Sequence, residues 1–149
     1  RNIPMRYTKE DLMREWEPDG SYDMLFLPCV HGHRKTLGHA IVNFTSQEAA
    51  AHFRAKFHRS FLVRHNRQSR PLHVKEAPVQ GLRQSLAVTE QTVHSGVPPG
   101  QCNDRSLPMV FFGTERIDPL QALADAAREA MLDAAVEEQE QHHLSRVFQ

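Results

Sequence analysis

Leu37-Gly38-His39-Ala40-Ile41-Val42-Asn43-Phe44 is the stretch that decides the fold. Its side chains alternate with a period of two, so Ala40, Val42 and Phe44 share one side of a strand, and His39, Ile41 and Asn43 take the other. Directly after it, Thr45-Ser46-Gln47-Glu48 opens a helix by side-chain capping. Ala49, Ala50, Phe53 and Phe57 give that helix an apolar stripe at helical spacing. Before it, Cys29 to Lys35 is a polar, His-rich loop, and Ser21 to Pro28 alternates as a partner strand. With Asp23 in solvent, Leu25 and Leu27 fall on its outward side, while Tyr22, Met24 and Phe26 point inward.

Further out, Thr8-Lys9-Glu10-Asp11 has the form of a capping box, and Leu12, Met13 and Trp16 lie on one face of the helix it opens. Glu17-Pro18-Asp19-Gly20 suits the turn that ends it. Pro71 to Glu76 reads as a third strand, with Leu72 and Val74 inward and His73 and Lys75 outward. The order helix, strand, strand, helix, strand, with one more strand ahead of Arg1, makes an α+β ferredoxin-like βαββαβ sandwich. Two helices then cover one sheet face, and the other is expected to be open, with Asp23, His39, Asn43, His73 and Lys75 on it.

Beyond the sandwich, Val79 to Val93 reads as an extra helix with Leu82, Leu86 and Val93 as its apolar positions. Gly96 to Gly100 is a Pro/Gly linker, and Leu107 to Phe112 is a short apolar run suited to docking on the domain. Asp118 then caps a helix of roughly 25 residues that starts at Pro119. Leu120, Ala124, Ala127, Met131 and Ala134 form its thin seam, and Asp125, Glu129, Asp133 and Glu137 an acidic ridge. The expected organisation is a domain over 1–112, including the extension, and an acidic Ala-rich helical tail over 113–149.

The formal net charge of zero hides a split. Residues 1–83 carry 14 Lys+Arg against 8 Asp+Glu, and residues 84–149 carry 4 against 10. Between Glu48 and Glu76 lie seven cations and no acid: Arg54, Lys56, Arg59, Arg64, Arg67, Arg70 and Lys75. Such a stretch suits a polyanion; the plainer reading is a solvated surface around a turn. The acidic tail either meets a protein partner or folds back over the basic half. No stretch is long and apolar enough to span a membrane, so a soluble intracellular chain, nuclear or cytoplasmic, is expected. Cys29 and Cys102 are too few for a disulfide framework.

The octamer matches the RNP1 pattern of RNA-recognition motifs at Gly38, Ala40, Val42 and Phe44, with His39 and Ile41 where that pattern carries stacking aromatics. Three further stretches extend the likeness: Arg1-Asn2-Ile3-Pro4 with Arg6-Tyr7-Thr8, Tyr22-Asp23 leading to Leu27-Pro28, and Thr45-Ser46. Together they resemble the C-terminal RNA-recognition motif of the Mei-two-like regulators of meiosis and development. Gln80-Gly81 and Arg105-Ser106-Leu107-Pro108-Met109-Val110-Phe111 resemble that family's extension. The resemblance spans about the first 112 residues. It implies an atypical RNA-recognition motif with an added C-terminal helix, which binds single-stranded RNA, takes no cofactor and performs no catalysis. Because Arg1 lies within the part that resembles the first conserved strand, that strand is expected to be truncated here.

Carried over residue by residue, the resemblance assigns the sheet-face role to Asn2, Leu25, His39, Ile41, His73 and Lys75. Arg64, Arg67 and Arg70 are the expected phosphate contacts. The rival reading is a protein-interaction module on the same fold, which the missing aromatics at His39 and Ile41 would permit. Cys29, His31 and His33 are competent zinc ligands that lack a fourth at usable spacing, so no metal is assigned. No GxSxG elbow, HExxH helix or P-loop occurs in the sequence.

Overall fold

A computed structural model describes residues 1–30, 35–64, 70–94 and 107–147. Helix α1 (Lys9–Glu15) starts at the expected capping box, with the Asp11 N–H donating to the Thr8 hydroxyl and the Thr8 N–H to the Asp11 carboxylate. Strand β1 (Tyr22–Phe26) pairs antiparallel with β2 (Ile41–Phe44), and α2 (Gln47–Phe57) follows from a Ser46 cap. After α3 (Leu82–His94) come β3 (Met109–Phe112), β4 (Glu115–Ile117) and the 29-residue α4 (Pro119–Val147).

The fold is α+β, with one antiparallel sheet in the order β2-β1-β3-β4, and it is compatible with a truncated ferredoxin-like sandwich. The second half of the sheet lies where the sequence suggests a docking segment and the start of a helical tail. Met109 to Phe112 is paired on both sides, to β1 and, across a two-residue turn, to β4. Gly113 takes φ +65° in that turn, a conformation that tight hairpins need and that glycine adopts without strain. The boundary expected at residue 112 therefore falls at the tip of a hairpin, and β4 and the start of α4 are built into the body.

Two cores lie on the two faces of the sheet. On one, Leu12 of α1 and Trp16 at its C-terminal cap meet Tyr22, Leu25, Leu27, Met109 and Phe111, with Phe53 and Phe57 of α2 packed against them. The rings interlock, with Trp16 5.1 Å from Phe53 and Phe53 4.6 Å from Phe57. On the other, Met24, Phe26 and Val110 are buried under Leu86 and Val93 of α3 and Leu123 and Ala126 of α4, with Ile41 packed alongside.

Three expectations need correcting. Leu25 does not face outward: a bulge between Tyr22 and Met24 shifts the alternation, so Tyr22 and Leu25 share the α1/α2 face while Met24 and Phe26 turn to the other. The second sheet face is not open, because α3 and α4 cover it. Burial of side chains such as Leu86 and Leu123 against Met24, Phe26 and Val110 contributes about 2 kcal/mol each. That cover is part of the core, not a loose lid. The docked face of α4 is also different: Leu123 and Ala126 are buried, whereas Leu120 and Met131 of the expected seam are exposed.

Pro71–Glu76 runs as an extended segment without entering the sheet, and the strand expected over 37–44 is confined to 41–44. No described helix is long and apolar enough to cross a membrane.

Candidate nucleic-acid interface

The last turn of α2 carries Arg54 and Lys56, and the chain then leaves the helix through His58. Arg59 follows at φ +63°, its N–H bonded to the Leu72 carbonyl at 2.8 Å, and the Leu72 N–H returns to the Ser60 carbonyl at 2.8 Å. These bonds fix 71–77 beside the end of α2. From the other side Arg1 and His73 exchange both backbone bonds, at 2.8 and 3.1 Å, and the Asn2 amide donates to the Pro71 carbonyl at 3.0 Å.

His58 sits between the two layers. Its Nδ1 accepts the Val74 N–H at 3.1 Å, and its ring centroid is 5.1 Å from that of His73. Its pKa is lowered, first by partial desolvation and then by His73, Arg54 and Arg59. The lowered pKa favours the neutral imidazole, whose Nδ1 can accept the Val74 N–H. Lys75 follows two residues after His73, and both line a slot beside β2.

That slot, of about 780 Å³, opens between β2 and the 72–79 segment. His39, Ile41, His73 and Lys75 line it, four of the residues singled out in the sequence, together with Arg1, Arg54 and Asn43. Asn2 is half-buried and acts through Pro71. Leu25 is fully enclosed on the α1/α2 side and out of reach of a ligand. Ile41 is half-buried, packed beside the second core.

The proposed phosphate contacts separate. Arg64 is engaged elsewhere, 2.7 Å from the Asp11 carboxylate, and its N–H bonds Tyr7 and Glu15. Arg70 is exposed at the start of the extended segment, and Arg67 lies outside the described residues, as do His31 and His33 of the zinc alternative. Among the described residues no group of three His, Cys, Asp or Glu side chains is placed to hold a metal.

Ion pairing sorts the cations. Arg14, Arg64, Arg83 and Arg128 each meet a carboxylate, whereas Arg1, Arg54, Arg59, Arg70 and Lys75 meet none among the described residues. In the sequence Arg54 and Arg59 belong to the acid-free basic run and carry no role of their own. The acid-free spacing was the available signal; the left-handed turn at Arg59 was not readable. The acidic ridge of α4 turns to α3 instead of this edge, with Glu129 and Asp133 both meeting Arg83.

No protein-family model matches the chain. It is similar to the protein terminal ear1 of Zea mays, 31% identical over 143 aligned residues that take in 80% of this chain and 21% of that protein. A terminal ear1 homolog of Oryza sativa subsp. indica is 33% identical over 132, taking in 74% of this chain and 18% of that protein. The chain thus spans about a fifth of the length of these relatives.

Proposed function

We propose that the chain is a noncatalytic domain that binds single-stranded RNA along its basic edge, within a post-transcriptional regulator of meiosis or development. The observation that carries this reading is a group of cations with no acidic partner among the described residues: Arg1, Arg54 and Lys75 line the slot, and Arg59 joins them beside the His58–His73 pair. The likeness to terminal ear1 proteins and the RNP1-like octamer support it.

The cations supply a salt-dependent attraction to phosphates. His39 and His73 offer rings for bases, at a fraction of the ~1–3 kcal/mol per base that an aromatic platform gives. With the sheet face buried beneath α3 and α4, few base edges can be read, so binding is expected to tolerate sequence changes. The test is a titration of the isotope-labelled chain with short single-stranded RNA, followed by amide and imidazole resonances. Shifts centred on His39, Arg54, His73 and Lys75 are expected. Absence of saturable shifts there at low salt would reject the RNA reading.

A protein-interaction module is the second reading, favoured by the covered sheet face and by the apolar walls of the slot, which include Trp16, Val42, Phe44 and Phe53. In that case the same titration leaves the basic edge unmoved.

A further inference from the structure

The segment that leads out of α2 alternates in burial. Ser60 is half-buried and Leu62 is enclosed, while Arg59, Phe61 and Val63 are exposed. Backbone pairing fixes that alternation, because the Arg59 N–H donates to the Leu72 carbonyl and the Leu72 N–H to the Ser60 carbonyl. Leu62 and Leu72 both enter the first core, so in an extended chain the residues between their inward positions stand outward. The same pairing brings Phe61 level with Pro71, next to Arg70.

A single exposed ring is ordinary by itself; what distinguishes Phe61 is its company. Of the described Phe, Tyr and Trp side chains, only Phe61 and Phe112 keep more than half of their surface exposed. Phe112 stands opposite Glu115 at the tip of the hairpin, where an acid repels phosphate. Phe61 lies instead in the stretch between Glu48 and Glu76 that holds no acid. Arg59 and Arg70 flank it, and neither meets a carboxylate among the described residues. On its far side the surface changes character: the Val63 N–H is bonded to Glu15, and the Arg64 guanidinium to Asp11. A polyanion that reaches Phe61 is therefore led back along the edge, toward His73 and Lys75. An aromatic face beside cations is the arrangement that holds an unpaired base and its phosphates together.

We propose that Phe61 is a base-stacking site for single-stranded RNA, at the outer end of the basic edge, with Arg59 and Arg70 meeting the flanking phosphates. The proposal rests on the RNA reading above and extends the site past the slot, whose lining does not include Phe61. It supplies the aromatic platform that His39 and Ile41 do not. Because every base has a π face, the site adds affinity without selecting sequence.

The experiment measures the anisotropy of short labelled single-stranded RNA with the parent chain, Phe61→Ala, Phe61→Leu and Phe61→Trp, at several salt concentrations. Phe61→Ala and Phe61→Leu should each weaken binding at least about fivefold, with the salt slope unchanged because no phosphate contact is lost. Phe61→Trp should bind at least as tightly as the parent, and the added indole should be quenched by RNA, read against the buried Trp16. At an exposed position all three variants should unfold within error of the parent temperature. Parent affinity retained in Phe61→Ala would overturn the stacking site and leave the RNA reading standing. Parent affinity retained in Phe61→Leu would overturn it as well, since apolar contact would then suffice. A parent chain that binds no RNA would reject the RNA reading and this site with it.

Discussion

Asp11 serves two structures at once, capping α1 through Thr8 and holding Arg64 at 2.7 Å. Partial burial opposes its ionisation, but the Thr8 hydrogen bonds and then Arg64 and Arg14 outweigh that and keep its pKa below the usual carboxylate value. A depressed carboxylate adds stability above its unfolded pKa of about 3.9 and loses it as pH falls through the folded value. Asp11→Asn should therefore cost about 1 kcal/mol at pH 7 and much less at pH 3, read from urea unfolding at the two pH values. Tyr7 ties the same region: its hydroxyl donates to Glu15 and accepts the Arg64 N–H at 3.2 Å. Tyr7→Phe should destabilise by about 1–2 kcal/mol and speed amide exchange at Arg64, while urea midpoints within error of the parent would contradict that role. The capping box was legible because its partners are three residues apart. The clamp of Tyr7, Glu15 and Arg64 was not, because it joins positions 57 and 49 residues distant, and local patterns carry no record of such contacts.

Among the elements, helices were read closely and strands less so. α1, α2 and α3 appear where capping and apolar spacing put them, since both signals are local. β1 departs from strict alternation because one bulge inverts every later side chain, so Leu25 lies on the same side as Tyr22. β3 reads as a docking segment in the sequence because it is apolar throughout, with Met109, Val110 and Phe111 buried on both faces and Phe112 exposed, and such a run has no period to read. For α4 the choice between two Ala/Leu stripes was decided by tertiary packing. Leu123→Ala should cost about 2–5 kcal/mol and reduce helicity, whereas Met131→Ala, at a position 74% exposed, should stay within about 0.5 kcal/mol. Thermal unfolding followed by circular dichroism checks both, and equal losses would reject the assigned face.

In the whole molecule, the split of charge between the two halves became a spatial separation. The acidic ridge of α4 turns to Arg83 of α3, and the cations around His73 and Lys75 keep a surface of their own. The sheet order, in which the C-terminal hairpin supplies half of the strands, and the burial of the second face could not be read from the octamer, because both depend on residues about 40 or more positions away. Of the residues expected at the site, His39, Ile41, His73 and Lys75 line one slot, while Leu25 and Arg64 belong elsewhere. The most direct test of the account is fluorescence anisotropy of labelled single-stranded RNA across a range of salt concentrations, with the parent chain, Lys75→Glu, Arg54→Glu and the double variant. If four or five phosphates are neutralised, log K should fall with log salt at a slope of about −3, and the double variant should flatten it by about 1.4. A parent slope near zero, or a double variant that binds with the parent's affinity and slope, would contradict the claim that the basic edge takes RNA.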